Sequence, residues 1–224
     1  MLLEIRQTKD GSNTLYVPKL NEHYHSVHGA LQESRHVFIK HGLEHVLNIK
    51  KDIKILEVGF GTGLNAILTY PYALSHKAFI QYDTLEKYPL GPEVVNKLHY
   101  NKLILNPELY DTFTEMHSSP WNEPVSLIPY FTLQKIHEAL EEFYSPDSYY
   151  DIVYFDAFAP EKQPELWEDA MFVKLYNALR PGGILVTYCA KGSFKRSLKA
   201  AGFEVEALPG PPGKREMTRG IKPI

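Results

Sequence analysis

Three glycines, Gly59, Gly61 and Gly63, stand between Glu57 and Asn65 in the stretch IKILEVGFGTGLN at 53–65. Glycine at alternate positions lets the backbone take positive φ and lets a ligand approach main-chain atoms, while a helix starting behind the loop offers unpaired N–H groups. A small, flat, polar ligand suits such a loop. A dinucleotide fingerprint needs glycines at its first, third and sixth positions, and the sixth here is Leu64, so that pattern fails. Two more carboxylates fall where apolar runs stop. Glu86 closes AFIQYDTLE and can accept hydrogen bonds from two ribose hydroxyls, the usual way such folds hold a nucleoside. Asp156 closes DIVYFD; burial there would need compensation, whereas a place at the strand end lets it face a crevice and orient N–H groups or take up a proton. The plainer alternatives are a surface acid beside Lys87 for Glu86 and a helix cap or turn before Pro160 for Asp156.

Other residues form looser groups. Phe158, Pro160, Pro164 and Trp167 make an aromatic, proline-rich loop that could stack a base, although Trp167 serves equally as a core residue of the next helix. Near the C-terminus, PGPPGKREMTRG carries Lys214, Arg215 and Arg219, which suit phosphate contacts or a solvated hairpin tip. His41 and His45 have the i, i+4 spacing of a helical metal pair, but no HExxH accompanies them, and the expectation is no metal.

The elements that must position these groups alternate between strand and helix. Residues 1–20 read as a hairpin, and 21–47 as one or two helices broken at Gly42 and covering the mouth of a sheet. From Ile53 onward the pattern is strand 53–58, helix 64–74, strand 78–89, helix 91–105, and irregular helices and loop from Asn106 to Pro129. There follow strand FTLQKI, helix EALEEFY, strand 151–158, helix 165–179, strand GGILVTYCA, helix 192–201, and the strands FEVEAL and TRGIKPI. Near-continuous apolar strands linked by helices give an α/β, doubly wound, mostly parallel Rossmann-like sheet, closed by a C-terminal antiparallel hairpin. The expected division is an N-terminal extension over 1–50 that covers the site and a second domain over 51–224.

Composition bounds the rest. The chain has 44% apolar residues, one cysteine and a net charge of −3, distributed as +1 over 1–50, −9 over 51–190 and +5 over 191–224. A single cysteine excludes an internal disulfide and fits a reducing, cytoplasmic setting; no stretch reads as a membrane span or secretory signal. Both ends being less acidic than the middle allows a polyanion to be held there.

The run E-x-G-x-G-x-G from Glu57 resembles the first motif of class I S-adenosylmethionine-dependent methyltransferases. A wider set of motifs, Q-E-S-R-H-V-F at 32–38, E-V-G-F-G-T-G-L-N at 57–65, L-E-K-Y-P-L at 85–90, F-D-A-F-A-P-E-K-Q-P-E-L-W at 155–167, P-G-G at 181–183 and G-K-R-E-M at 213–217, resembles the methyltransferase half of the MnmC enzymes in its stand-alone form. The resemblance runs from about residue 20 to the end. It implies S-adenosyl-L-methionine as cofactor and 5-aminomethyl-(2-thio)uridine at tRNA position 34 as acceptor. The partners implied are the tRNA anticodon stem-loop and, functionally, the enzymes that make 5-aminomethyluridine. It assigns Glu57, Gly59, Phe60, Gly61, Gly63, Asn65, Glu86, Lys87, Gln134 and Asp156 to the cofactor, Asp156 also to the methyl acceptor, and Glu33, Arg35, Phe158, Pro160, Lys214 and Arg215 to the substrate. Where the family tends to place an acid for the adenine amino group, the chain reads LQKIHE, with Gln134 and Lys135, so Gln134 or the backbone is expected to substitute. Two rival readings remain compatible with the residues: a methyltransferase of a small amine or protein, and a non-catalytic nucleoside-binding module.

Overall fold

A computed structural model describes residues 2–100 and 108–224. Its centre is an eight-stranded sheet in the order β10-β11-β9-β8-β4-β5-β7-β6. Strands β4 (Asp52–Val58), β5 (Phe79–Leu85), β7 (Phe131–Ile136), β8 (Tyr150–Phe155) and β9 (Leu179–Thr187) run parallel. β10 (Glu204–Pro209) and β11 (Glu216–Ile221) form the closing antiparallel hairpin, and β6 (Pro124–Ile128) pairs antiparallel with β7 at the other edge. The chain leaves β4 for β5 and β7 on one side, then returns to β8 and β9 on the other. That reversal opens a crevice above the C-terminal ends of β4 and β8, which is where a doubly wound sheet binds ligands.

Both sheet faces are covered, which is why β4 is buried from Ile55 to Val58 and β8 along its whole length. One core cluster joins Ile53, Ile55, Tyr82, Ile152 and Tyr154 to the helix Leu64–His76 and to the N-terminal helical stretch; the other joins Leu56, Val153, Phe155 and Leu185 to the helices Asp169–Ala178 and Gly192–Ala201.

Several elements differ from the expectation. The hairpin of β1 (Glu4–Gln7) and β2 (Asn13–Val17) gains a third strand, β3 (Glu22–His23). The helical stretch does not break at Gly42. It runs unbroken through Ala30–Ser34, Arg35–Leu43 and Glu44–Leu47, with a wide π-type turn in the middle piece. It packs on the face of the sheet, and a Cβ on Gly42 would lie 3.1 Å from the Tyr154 and Val186 side chains, so glycine permits the close approach. EALEEFY forms turns in place of a helix. Lys174 Nζ takes the carbonyls of Leu140 and Glu141, which a helix would have used itself, and Pro146 disfavours helical backbone just beyond. Within 91–105 the one described helical piece is Pro92–Val95, and residues 101–105 lie outside the described residues. In the stretch 106–129 the helix is Glu108–Ser118, and the element not expected is β6, an edge strand that opens on Pro124 and carries a register shift. The expected helix 165–179 divides into a 3-10 turn, Pro164–Trp167, and Asp169–Ala178.

Candidate active site

A cleft of about 1200 Å³ opens above β4, β5 and β8 and is walled by Gly59, Phe60, Gly61, Asn65, Glu86, Lys87, Asp156 and Phe158, with Tyr24 and His25 on its N-terminal side. The glycine loop joins β4 to the helix at Leu64, and all three glycines have positive φ. Space also demands them at two positions. A Cβ on Gly59 would sit 3.2 Å from the Asp156 carbonyl oxygen, and one on Gly63 would sit 2.8 Å from His117 Nε2.

The carboxylates divide by depth. Glu57 is fully buried and lies behind the cleft rather than in its wall. Its oxygens accept hydrogen bonds from Thr84 Oγ1 at 2.7 Å and Asn65 Nδ2 at 3.0 Å, and burial pushes its pKa up to about 8. Asp156 is half-buried in the cleft wall and accepts a hydrogen bond from the same Asn65 Nδ2 at 2.9 Å. Burial, reinforced by the Glu33 carboxylate, raises its pKa to about 7, against the opposing pull of the Asn65 hydrogen bond and the Lys214 ammonium. Two acceptors on one side of the amide fix its orientation. The Asn65 NH2 faces the acids, and Asn65 Oδ1, on a residue of the cleft wall, is buried without a hydrogen-bond partner among the described residues.

Glu86 lines the cleft just beyond β5, accepting the Gly61 N–H at 2.9 Å and the Tyr88 N–H at 2.8 Å. It thereby ties the second strand end to the glycine loop. Lys87 is exposed and 3.8 Å from Glu141.

The chain's two ends meet beside Asp156. Lys214 Nζ lies 2.5 Å from Glu33 Oε1 and 3.8 Å above the Tyr188 ring, while the other Glu33 oxygen accepts the Ser26 N–H at 2.7 Å. Tyr188 donates to the Ala157 carbonyl at 2.8 Å, which fixes the backbone next to the acid. Phe158 packs edge to face on Tyr24, with ring centroids 5.0 Å apart.

Other anticipated residues lie elsewhere. Arg35 and Arg215 are exposed and Pro160 is half-buried; none of them is in the cleft wall. Gln134 is half-buried on β7 and also outside the wall, which instead receives His137, Glu138 and Leu140 from the segment after that strand. Trp167 packs against Phe155, Phe172 and Phe194 and donates to the Phe158 carbonyl at 2.8 Å, so it supports the aromatic loop from the core. Among the described residues no group of three or more His, Cys, Asp or Glu side chains converges, and His36 and His41 stack edge to face on each other. Tyr24, His25 and His137 had no local motif to mark them; the rule that ligands lie beyond strand ends covers His137 alone.

Residues 130–223 match the model of a family described as S-adenosyl-L-methionine-dependent methyltransferase. The chain is 31% identical over 221 residues to the tRNA 5-methylaminomethyl-2-thiouridine biosynthesis bifunctional protein MnmC of Cupriavidus metallidurans, covering 92% of this chain and 32% of that protein. It is 32% identical over 215 residues to the MnmC of Chromobacterium violaceum, covering 88% and 31%. Among solved structures, MnmC2 from Aquifex aeolicus superposes with a TM-score of 0.74 at 28% identity, over 98% of this chain and 70% of that one. Residues 130–223 thus match an S-adenosyl-L-methionine-dependent methyltransferase family, and the chain is similar to MnmC proteins over nearly its whole length. It spans about a third of the length of the curated MnmC relatives it matches. Spermidine synthase from Thermotoga maritima shares the fold, with a TM-score of 0.58 at 13% identity.

The residues of this MnmC-like chain fit the cofactor on their own terms. The glycine loop leaves room that side chains would fill, Glu86 offers lone pairs for ribose hydroxyls, and the unpartnered Asn65 Oδ1 suits an ammonium donor such as that of a methionine moiety.

Proposed function

We propose that this chain methylates the exocyclic amine of 5-aminomethyl-(2-thio)uridine at tRNA wobble position 34, giving the 5-methylaminomethyl nucleoside. The observation that carries the reading is Asp156. It is a cleft-wall carboxylate one residue beyond β8, held by Asn65 and flanked by the Glu33–Lys214 pair, in a chain similar to proteins named for that nucleoside. S-adenosyl-L-methionine, when bound, supplies a methyl group on a positively charged sulfur. An amine accepts it only as a neutral base with its lone pair in line, so the protein's task is to hold the amine neutral and oriented.

Asp156 meets both needs. Its raised pKa lets it take a proton from an incoming ammonium near neutral pH, and its oxygens then bond the remaining N–H groups. The half-buried setting limits water around the amine, and Phe158 with Tyr24 offers aromatic edges to a pyrimidine ring. The anticodon stem-loop is the partner in this reading, reached through the less acidic chain ends, and the enzymes that make 5-aminomethyluridine supply the acceptor. The reading belongs to the cytoplasm, where tRNA is modified; among the described residues no helix is long and apolar enough to cross a membrane.

The test is labelled-methyl transfer into tRNA from cells lacking this enzyme, followed by nucleoside analysis. Label is expected in 5-methylaminomethyl-2-thiouridine, and with Asp156→Ala it is expected to fall by about 10²-fold or more while S-adenosyl-L-methionine affinity stays within about threefold. Label in a different nucleoside, or in protein, would overturn the acceptor assignment.

A further inference from the structure

Lys135 lies on β7 beside the cleft, and its side chain is not part of the cleft wall. It is 1% exposed on β7, directed beneath the glycine loop, and among the described residues it makes no ion pair with a carboxylate. An ammonium buried without a counter-charge is costly, so its surroundings must compensate in another way. Nζ donates to the His117 carbonyl at 2.6 Å and sits 4.7 Å from the Trp121 ring centroid and 5.7 Å from that of Phe60. His117 lies in the last turn of the helix Glu108–Ser118, where carbonyls lack helical partners and a cation is favoured.

The His117 ring carries the contact onward. Its Nε2 donates to the Thr62 carbonyl at 3.1 Å, and the ring stands against Phe60 at a centroid distance of 5.1 Å and against the Gly63 Cα. Burial holds the ring neutral, with a pKa down near 4, so it keeps one N–H for Thr62 and no charge of its own beside Lys135. A continuous path therefore runs from Lys135 to the loop that lines the cofactor cleft.

We propose that Lys135 is a positioning residue for cofactor binding: its ammonium, acting through the His117 carbonyl and ring, holds Thr62 and Gly63 of the glycine loop in their binding conformation. The proposal rests on S-adenosyl-L-methionine occupying the cleft and not on which amine is methylated. Lys135→Met keeps an unbranched side chain one atom shorter and removes the charge. By calorimetry with S-adenosylhomocysteine at pH 7 it is expected to bind about tenfold more weakly than wild type, with a thermal midpoint equal to or above wild type because the buried charge is gone.

Two readouts separate positioning from general packing. Burial lowers the Lys135 pKa to about 8, and His117 is the titratable group that faces it, so above pH 8 the wild-type relay weakens by itself. The ratio of variant to wild-type Kd then falls toward one at pH 9, and titration of the ligand cancels in that ratio. His117→Ala breaks the path on the loop side and is also expected to weaken binding about tenfold, with the double variant no weaker than the poorer single one. A Kd for Lys135→Met within twofold of wild type, a ratio that does not fall with pH, or fully additive effects would overturn the proposal. If Lys135→Met gives no cooperative melt, His117→Ala decides alone, and binding unchanged in it overturns the proposal. A wild-type protein that binds no S-adenosylhomocysteine would instead refute the cofactor.

Discussion

Glu57 and Asp156 sit at the ends of neighbouring strands, share one hydrogen-bond donor, and have different work to do. In the β4–β8 register Glu57 lies opposite Tyr154, and Asp156 is two residues further on, one beyond the end of β8. Side chains two apart on a strand share a face, which is why both carboxylates reach Asn65 Nδ2. Two residues also amount to roughly 7 Å of depth. At the deeper level Glu57 is sealed by Thr84 and Asn65 beneath the glycine loop; at the shallower one Asp156 meets the cleft. The same residue chemistry becomes a sealed acid or a cleft-facing one according to where the strand stops.

The comparison can be broken most severely at the shallow acid, where Asp156→Ala is expected to abolish methyl transfer and spare cofactor affinity. The next largest effect falls on the shared donor. Asn65→Ala leaves Asp156 without the hydrogen bond that lowers its pKa, so the acid limb of the pH–rate profile, expected near 7 in wild type, should move to higher pH, with a rate loss of about tenfold at pH 7. An unmoved limb in a folded variant would show that Asn65 does not set the charge of Asp156.

Lys214→Ala acts on the same acid from outside. The ammonium lowers the Asp156 pKa, so its removal should shift the limb in the same direction by a smaller amount and reduce the rate severalfold, while leaving the buried Glu33 carboxylate with the Ser26 N–H alone among the described residues. A rate equal to wild type across pH 6–9 would remove the clasp from the site.

How far these residues can be read from the chain follows from sequence separation. The glycine loop, Glu86 and Asp156 are legible because each is local: an apolar run ends, and a polar or flexible residue follows. Glu33 and Lys214 are 181 residues apart, and no spacing in either segment announces their contact; the resemblance to MnmC motifs singled out Glu33, while Lys214 was also marked by its basic, proline-rich loop. Lys135 shows the opposite limit. Alternation along FTLQKI gives Phe131, Leu133 and Lys135 one buried face, yet a lysine on that face reads as exposed unless the Trp121, Phe60 and His117 cage is already known. EALEEFY had helical composition, and the tertiary bonds of Lys174 outweighed it.

The smallest effect on rate belongs to the deep acid, and it sharpens the contrast most. With a folded-state pKa raised from 4.5 to about 8, Glu57 is mainly protonated at pH 7, so Glu57→Gln preserves its charge state and shape there. Its rate at pH 7 is expected within about threefold of wild type, whereas Asp156→Asn loses the base and should resemble Asp156→Ala. Stability separates the two roles further. A carboxyl whose pKa is higher in the folded than in the unfolded state binds more protons when folded, so its contribution to stability is fully present below pH 4.5 and is lost as pH rises through about 8. Thermal melts from pH 5 to 8.5 should show the wild-type midpoint falling across that window more steeply than that of Glu57→Gln. Parallel curves would mean that Glu57 ionises in the folded chain as it does in the unfolded one, and the distinction between a sealed acid and an open one would fail.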